Sequence, residues 1–144
     1  DSVLMEAVWQ GDLELVKLLL AAGAEINFQT LNGKTRLHCA LKWAVYHNDI
    51  SAVNILLDAG ADVNNDVEGC QGGRTMTALQ LASYKGNYKI VQLLLRAGAD
   101  VNAIPGRHLI FDFRGSALQA ALAAYRGKLD LVNRLLDAGA DVNA

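Results

Sequence analysis

Five residues, Gly98-Ala99-Asp100-Val101-Asn102, constrain this chain more than any other stretch, because they recur. The same residues stand at 60–64 and 139–143, and with conservative changes at Gly23-Ala24-Glu25-Ile26-Asn27. Each copy follows a leucine-rich run: Leu18-Leu19-Leu20, Ile55-Leu56-Leu57, Leu93-Leu94-Leu95 and Leu135-Leu136. A glycine just past an apolar helix takes the left-handed conformation that closes the last turn at little cost. A helix and its stop, repeated at intervals of 37, 38 and 41 residues, mark a stacked array of short units.

Taken in order, the first unit opens with Ser2 as cap of a helix from Val3 to about Gln10, broken by Gly11. A second helix is expected over Asp12–Ala22. Its Leu15, Val16, Leu18, Leu19 and Leu20 form an apolar face too broad for one-sided burial, as in a helix sandwiched between neighbours. Gly23 ends it, and Asn27–Lys34, with Asn32-Gly33 inside, predicts a hairpin-like turn.

The second unit opens Thr35-Arg36-Leu37-His38-Cys39-Ala40. Later units open Thr77-Ala78-Leu79-Gln80-Leu81-Ala82 and Ser116-Ala117-Leu118-Gln119-Ala120-Ala121, each with a hydroxyl residue three before a glutamine, a capping-box arrangement. These openings resemble the ankyrin repeat, whose signature is Thr-Pro-Leu-His-x-Ala in a unit of about 33 residues. Arg36 stands in place of the proline. The resemblance covers the whole chain and implies an all-α fold: an ankyrin-repeat solenoid of helix-turn-helix units joined by hairpin-like finger loops. The expected repeats are 2–34, 35–76, 77–115 and 116–144, forming one domain.

The intervals exceed the family's length, and the excess can be placed. Four extra residues between Thr35 and Gly60 make about one helical turn, expected in a first helix over Leu37–Tyr46. Asn64 to Thr77 is 13 residues and Asn102 to Ser116 is 14, against 8 from Asn27 to Thr35, so two fingers are long: Asn65–Met76 and Ala103–Gly115. Two further residues before Gly127 are expected inside the last first helix. Insertions in such arrays fall on one face, often the binding face. The second long finger carries Leu109-Ile110-Phe111-Asp112-Phe113, unusually apolar for a loop: either a partner-binding tip or a lid folded onto the groove.

Several function classes find no support. No apolar run approaches the ~18 residues that span a bilayer, and a net charge of −2 with mixed signs recruits neither nucleic acid nor an anionic membrane. Cys39 and Cys70 are too few for a disulfide framework, so a reducing intracellular setting, cytoplasmic by default, is expected. Asp1 as first residue and the lack of a polar terminal helix pair point to an excised segment of a longer array, monomeric in isolation. His38, His47 and His108 fall in three different structural roles; by the resemblance, the His38 position braces neighbouring finger backbones. Cys39 reads as a small core residue, and Cys70 as a loop residue with nothing to lower its pKa. Gly69-Cys70-Gln71-Gly72-Gly73-Arg74 lacks the lysine and spacing of a phosphate loop. No catalytic, cofactor-binding or metal-binding set is expected.

One constellation rises above this background. Two residues before each helix-ending position (Gly11, Asn48, Gly86, Gly127) stand Trp9, Tyr46, Tyr84 and Tyr125, followed by Gln10, His47, Lys85 and Arg126. In ankyrin arrays the end of the first helix and the finger tips line a concave groove. The resemblance therefore implies a partner surface of this column with Lys42, Trp43, Arg74, Met76, Phe111 and Phe113. Aromatic anchors beside cationic groups suit a peptide segment carrying apolar and acidic groups; the same rings could equally pack as filler. The leading expectation is a non-catalytic protein–protein interaction module. A second is a sensor or autoinhibitory arm of a larger multidomain signalling protein or enzyme, since Gln80 and Gln119 resemble the ankyrin arrays of large fungal receptor-like proteins. A spacer with no binding role is a third. The turn asparagines Asn27, Asn64, Asn102 and Asn143 match a position hydroxylated in some animal ankyrin proteins, and their role in the turn suffices to explain them.

Overall fold

Helices in this chain come in pairs, and the three described joints within pairs each turn on one left-handed residue, Gly11, Asn48 or Gly86. The computed structural model describes residues 3–24, 36–64, 76–104, 115–124 and 129–143, the side chains of Met5, Trp9 and residues 36–39 excepted. Among the described residues there are eight helices and no strands: α1 (Val3–Gln10), α2 (Leu13–Ala21), α3 (Arg36–His47), α4 (Ile50–Asp58), α5 (Ala78–Tyr84), α6 (Tyr88–Arg96), α7 (Ala117–Ala123) and α8 (Leu129–Asp137).

The joints follow from local chemistry. Asn48 carries φ 63°, the one described non-glycine residue in the left-handed region, and so does the work of Gly11 and Gly86. Asparagine tolerates this region because its short amide bonds locally. The next residue has two tasks. The Asp49 N–H donates to the Ala44 carbonyl at 2.9 Å, closing α3, and its carboxylate accepts from the Ala52 N–H at 3.0 Å, opening α4. Asn87 does the same between Ala82 and Ile90, and Asp12 between Ala7 and Leu15. The capping boxes expected at Thr77/Gln80 and Ser116/Gln119 are present. Each second helix ends on glycine, as at Gly98, where the Gly98 and Ala99 N–H groups donate to the Leu95 and Leu94 carbonyls at 3.1 and 3.0 Å.

The chain divides into two compact units, Asp1–Asp62 and Val63–Ala144. In the first, α1 packs on α2 and α3, α3 on α4, and α2 touches α4. In the second, α5 packs closely on α7 and on α6, α7 on α8, and α6 touches α8. First helices thus stack on first helices and second on second. The core is aliphatic: Ala44, Val45, Val53 and Leu56 in the first unit, Ala82, Ile90, Val91, Leu94 and Leu135 in the second, all buried. Burying each large side chain contributes about 1.5–3 kcal/mol.

Helix lengths separate two expectations. The extra turn in the second repeat's first helix is there: α3 has 12 residues, against 8 in α1 and 7 in α5 and α7. The two residues expected inside the last first helix are not. α7 is no longer than α5 and ends at Ala123, with Ala124 as its cap. The sandwiched reading of α2 is also corrected. Only Val16 is buried in that helix and Leu18 is 65% exposed, because α1 and α4 cover one side. The hairpin-like turn at 27–34 and the two long fingers, apart from Met76, Ala103, Ile104 and Gly115, lie outside the described residues.

Candidate binding surface

The last turn of each first helix has one face committed to the core and one left to solvent. In α3, Ala44 and Val45 are fully buried, whereas Tyr46 is 52% exposed and His47 is exposed beside it. Helical spacing brings Trp43 and His47, four apart, onto one face. Their ring centroids lie 4.2 Å apart at 35°, and the Tyr46 ring meets His47 edge-on at 5.2 Å and 74°. Such tilted and edge-to-face arrangements are favourable for aromatic rings. Three rings therefore form one partly exposed cluster at the end of α3.

The second unit repeats the pattern with fewer rings. Tyr84, the last residue of α5, is 41% exposed, and Lys85 caps the helix in solvent. Gln10, in the same column, is exposed and donates to Glu6 Oε1 at 2.8 Å. The Trp9 side chain, Arg74, Phe111, Phe113, Tyr125 and Arg126 lie outside the described residues.

Two expected surface residues are buried instead. Met76 is 5% exposed and belongs to the core at the approach to α5. Lys42 is 7% exposed. The reason is register: the extra turn lies at the start of α3, so Lys42 stands six residues before Asn48 just as Gln80 stands six before Gly86. Lys42 thus falls in the inward column of Gln80. Conversely, two exposed apolar residues escape a reading of motifs. Ile104, at the foot of the second finger, is 67% exposed, and Leu122 on α7 is 59% exposed. Counting from the caps gives no signal for the latter, since Leu122 is six after Ser116 as the buried Ser83 is six after Thr77.

The surface is held by a polar frame. Gln80, at the position where the signature has histidine, is buried; its Nε2 donates to the Ala103 carbonyl at 2.9 Å and the Gly115 carbonyl at 3.0 Å, and its Oε1 accepts from the Thr77 N–H at 2.8 Å. One amide thus pins both feet of the second finger to the start of α5. The turn asparagines act between repeats. Asn64 Nδ2 donates to the Gly98 carbonyl at 3.0 Å while its Oδ1 accepts from the Asp100 N–H at 2.7 Å. Asn102 grips Gly139 and Asp141 alike, at 3.0 and 2.8 Å.

A shallow hollow of about 550 Å³ on the second unit is lined by Tyr88 of α6 and by Asp130, Leu131, Asn133, Arg134 and Asp137 of α8. It offers no nucleophile paired with a base. Among the described residues no group of three or more histidines, cysteines and carboxylates could hold a metal ion. None of the described helices is long and apolar enough to cross a membrane.

Helix pairs closed by left-handed turns, with Asn64 and Asn102 each gripping the turn of the following repeat, define a stacked-helix repeat protein. The chain belongs to the ankyrin-repeat family. The family description "Ankyrin repeats (3 copies)" matches residues 4–105, and "Ankyrin repeat" matches residues 116–144. No curated protein matches the chain. Ankyrin repeats are generally protein–protein interaction modules, and their domains are typically non-catalytic.

Proposed function

We propose that this chain is a non-catalytic interaction module that takes a protein or peptide segment on the exposed ends of its first helices and on its long fingers. The observation that carries the reading is the repeated exposure of a tyrosine two residues before the left-handed joint. Tyr46 stands there with Trp43 and His47, and Tyr84 with Lys85. Rigid rings with a polar tip supply contact area at low entropic cost, and the adjacent His47 and Lys85 favour a segment bearing both apolar and acidic groups. The concave groove, a cytoplasmic setting and a role as a scaffold are parts of this same proposal.

A peptide selected from a displayed library for binding to the wild-type chain provides the test. Tyr46→Ala and Tyr84→Ala remove exposed rings, so circular dichroism should be unchanged. Each is expected to weaken binding by about tenfold or more. Unaltered affinity in the doubly substituted chain would sink the assignment of this surface.

A further inference from the structure

Arg134 stands five residues before the closing Gly139, where the other repeats carry Leu18, Ile55 and Leu93. Ile55 and Leu93 are half-buried, as apolar residues at a helix seam should be. Arg134 is half-buried too, and its Nε is fully buried with no hydrogen-bond partner among the described residues. A guanidinium placed this way has lost water at one donor and gained nothing in return. It lines the hollow of about 550 Å³, whose described walls come from α6 and α8 alone.

The other polar groups of the hollow also have capacity to spare. Tyr88 Oη accepts from Gln92 Nε2 at 3.2 Å, which leaves the phenol's own proton to donate. Asp130 and Asp137 lie one turn before and one turn after Arg134, and neither pairs with it or with another described cation. Both are exposed, and exposure at these positions is common to the second helices: Lys89 and Arg96 on α6 are exposed, as are Ser51 and Asp58 on α4. The hollow thus presents acid, arginine and acid along about 10 Å of α8.

We propose that this hollow is a second binding site, taking an extended peptide segment in which a base, an acid and a base stand at alternate positions. Alternate residues of such a segment share one face about 7 Å apart, and flexible lysine stems take up the difference from the helical spacing. The acid's carboxylate accepts from the Arg134 guanidinium and from the Tyr88 hydroxyl, while the two bases pair with Asp130 and Asp137. Charge selects this occupant, because an anion alone would meet two carboxylates and a cation alone would meet the arginine. The segment expected at Tyr46 and Tyr84 is apolar and acidic, so the two surfaces read different partners.

Nitrogen–proton correlation spectra of the full chain provide the test, because the Arg134 Nε–H gives a signal that Arg134→Lys removes and so assigns. Titration with the capped peptide Gly-Lys-Ser-Glu-Ser-Lys-Gly should move that signal and those of Tyr88 and α8, with a Kd on the order of 1 mM or tighter. Replacing its glutamate with glutamine should weaken binding by about tenfold, and the charge-inverted peptide Gly-Glu-Ser-Lys-Ser-Glu-Gly should not bind. Arg134→Leu installs the residue that α6 carries in this register, so circular dichroism should be unchanged and binding should fall by about tenfold or more. Tyr46→Ala with Tyr84→Ala should leave this titration as in wild type, which separates the site from the surface at the first-helix ends. Equal binding of the charge-inverted peptide, or wild-type affinity in Arg134→Leu, overturns the proposal. So does an Arg134 signal that moves with protein concentration and not with peptide, which would assign the hollow to a second copy of the chain.

Discussion

Gln80 donates its side-chain amide to the carbonyl of Gly115, 35 residues further on, at 3.0 Å. The same side chain also holds Ala103 and Thr77, so a single buried group fixes a helix start and both feet of a finger. Gln80→Leu keeps the volume and removes every bond, leaving three backbone groups to find other partners. It should cost about 2–3 kcal/mol in urea unfolding. A loss under about 0.5 kcal/mol would mean that these bonds exchange freely with water.

The turn asparagines are exposed, so their loss should be milder. Asn102→Ala deletes two hydrogen bonds and is expected to cost about 1 kcal/mol, as is Asn64→Ala. The two clamps meet at Asp100, whose N–H donates to Asn64 and whose carboxylate accepts from the Asn102 N–H. A double-mutant cycle in chemical denaturation should therefore give a coupling of about 0.5 kcal/mol or more, whereas strict additivity would show that the joints act alone.

Ser83 is fully buried in the register of Val8 and Val45, and its Oγ has no hydrogen-bond partner among the described residues. Such a hydroxyl is desolvated without return. Ser83→Ala should raise stability by about 1 kcal/mol, seen as a higher Tm. A fall in Tm would reveal a partner for the hydroxyl.

Asn48 separates conformational cost from packing. Asn48→Gly should leave stability within about 0.5 kcal/mol, whereas Asn48→Val, β-branched at φ 63°, should lose about 1–2 kcal/mol or more. Equal stabilities for the two variants would argue that the backbone relaxes at this joint.

Met76 tests burial against binding. Met76→Ala is expected to cost about 2–4 kcal/mol of stability by opening a cavity. For chains that remain folded, affinity for a selected peptide should match wild type, and a specific loss of affinity would return Met76 to the surface.

The helices and their ends are legible in the sequence because they rest on chemistry within a few residues. Asp49 and Asn87 cap the second helix of each pair, and the glycines close the helices before them. Even Asn48 declares itself by standing where other repeats have glycine. The division between core and surface is less legible, because burial depends on what another segment brings. Lys42 looks like a surface cation until the extra turn is placed at the start of α3, which rotates it inward. Leu18 looks like core until only one side of α2 is covered. α7 ends at Ala123, short of the two further residues that the spacing from Ser116 to Gly127 predicts inside it.

The double duty of Asp49 and Asn87 bears on how this protein comes apart. Because one residue is both the lock of the first helix and the key of the second, neither helix can fray at the joint without releasing the other. The smallest increment of melting is then a whole pair. The amide of Asn87, bonded back to Ala82, and that of Ile90, bonded to the Asn87 side chain, should exchange with deuterium at matched protection, although they belong to different helices. An array built this way loses its structure in discrete steps, repeat by repeat, rather than by gradual erosion.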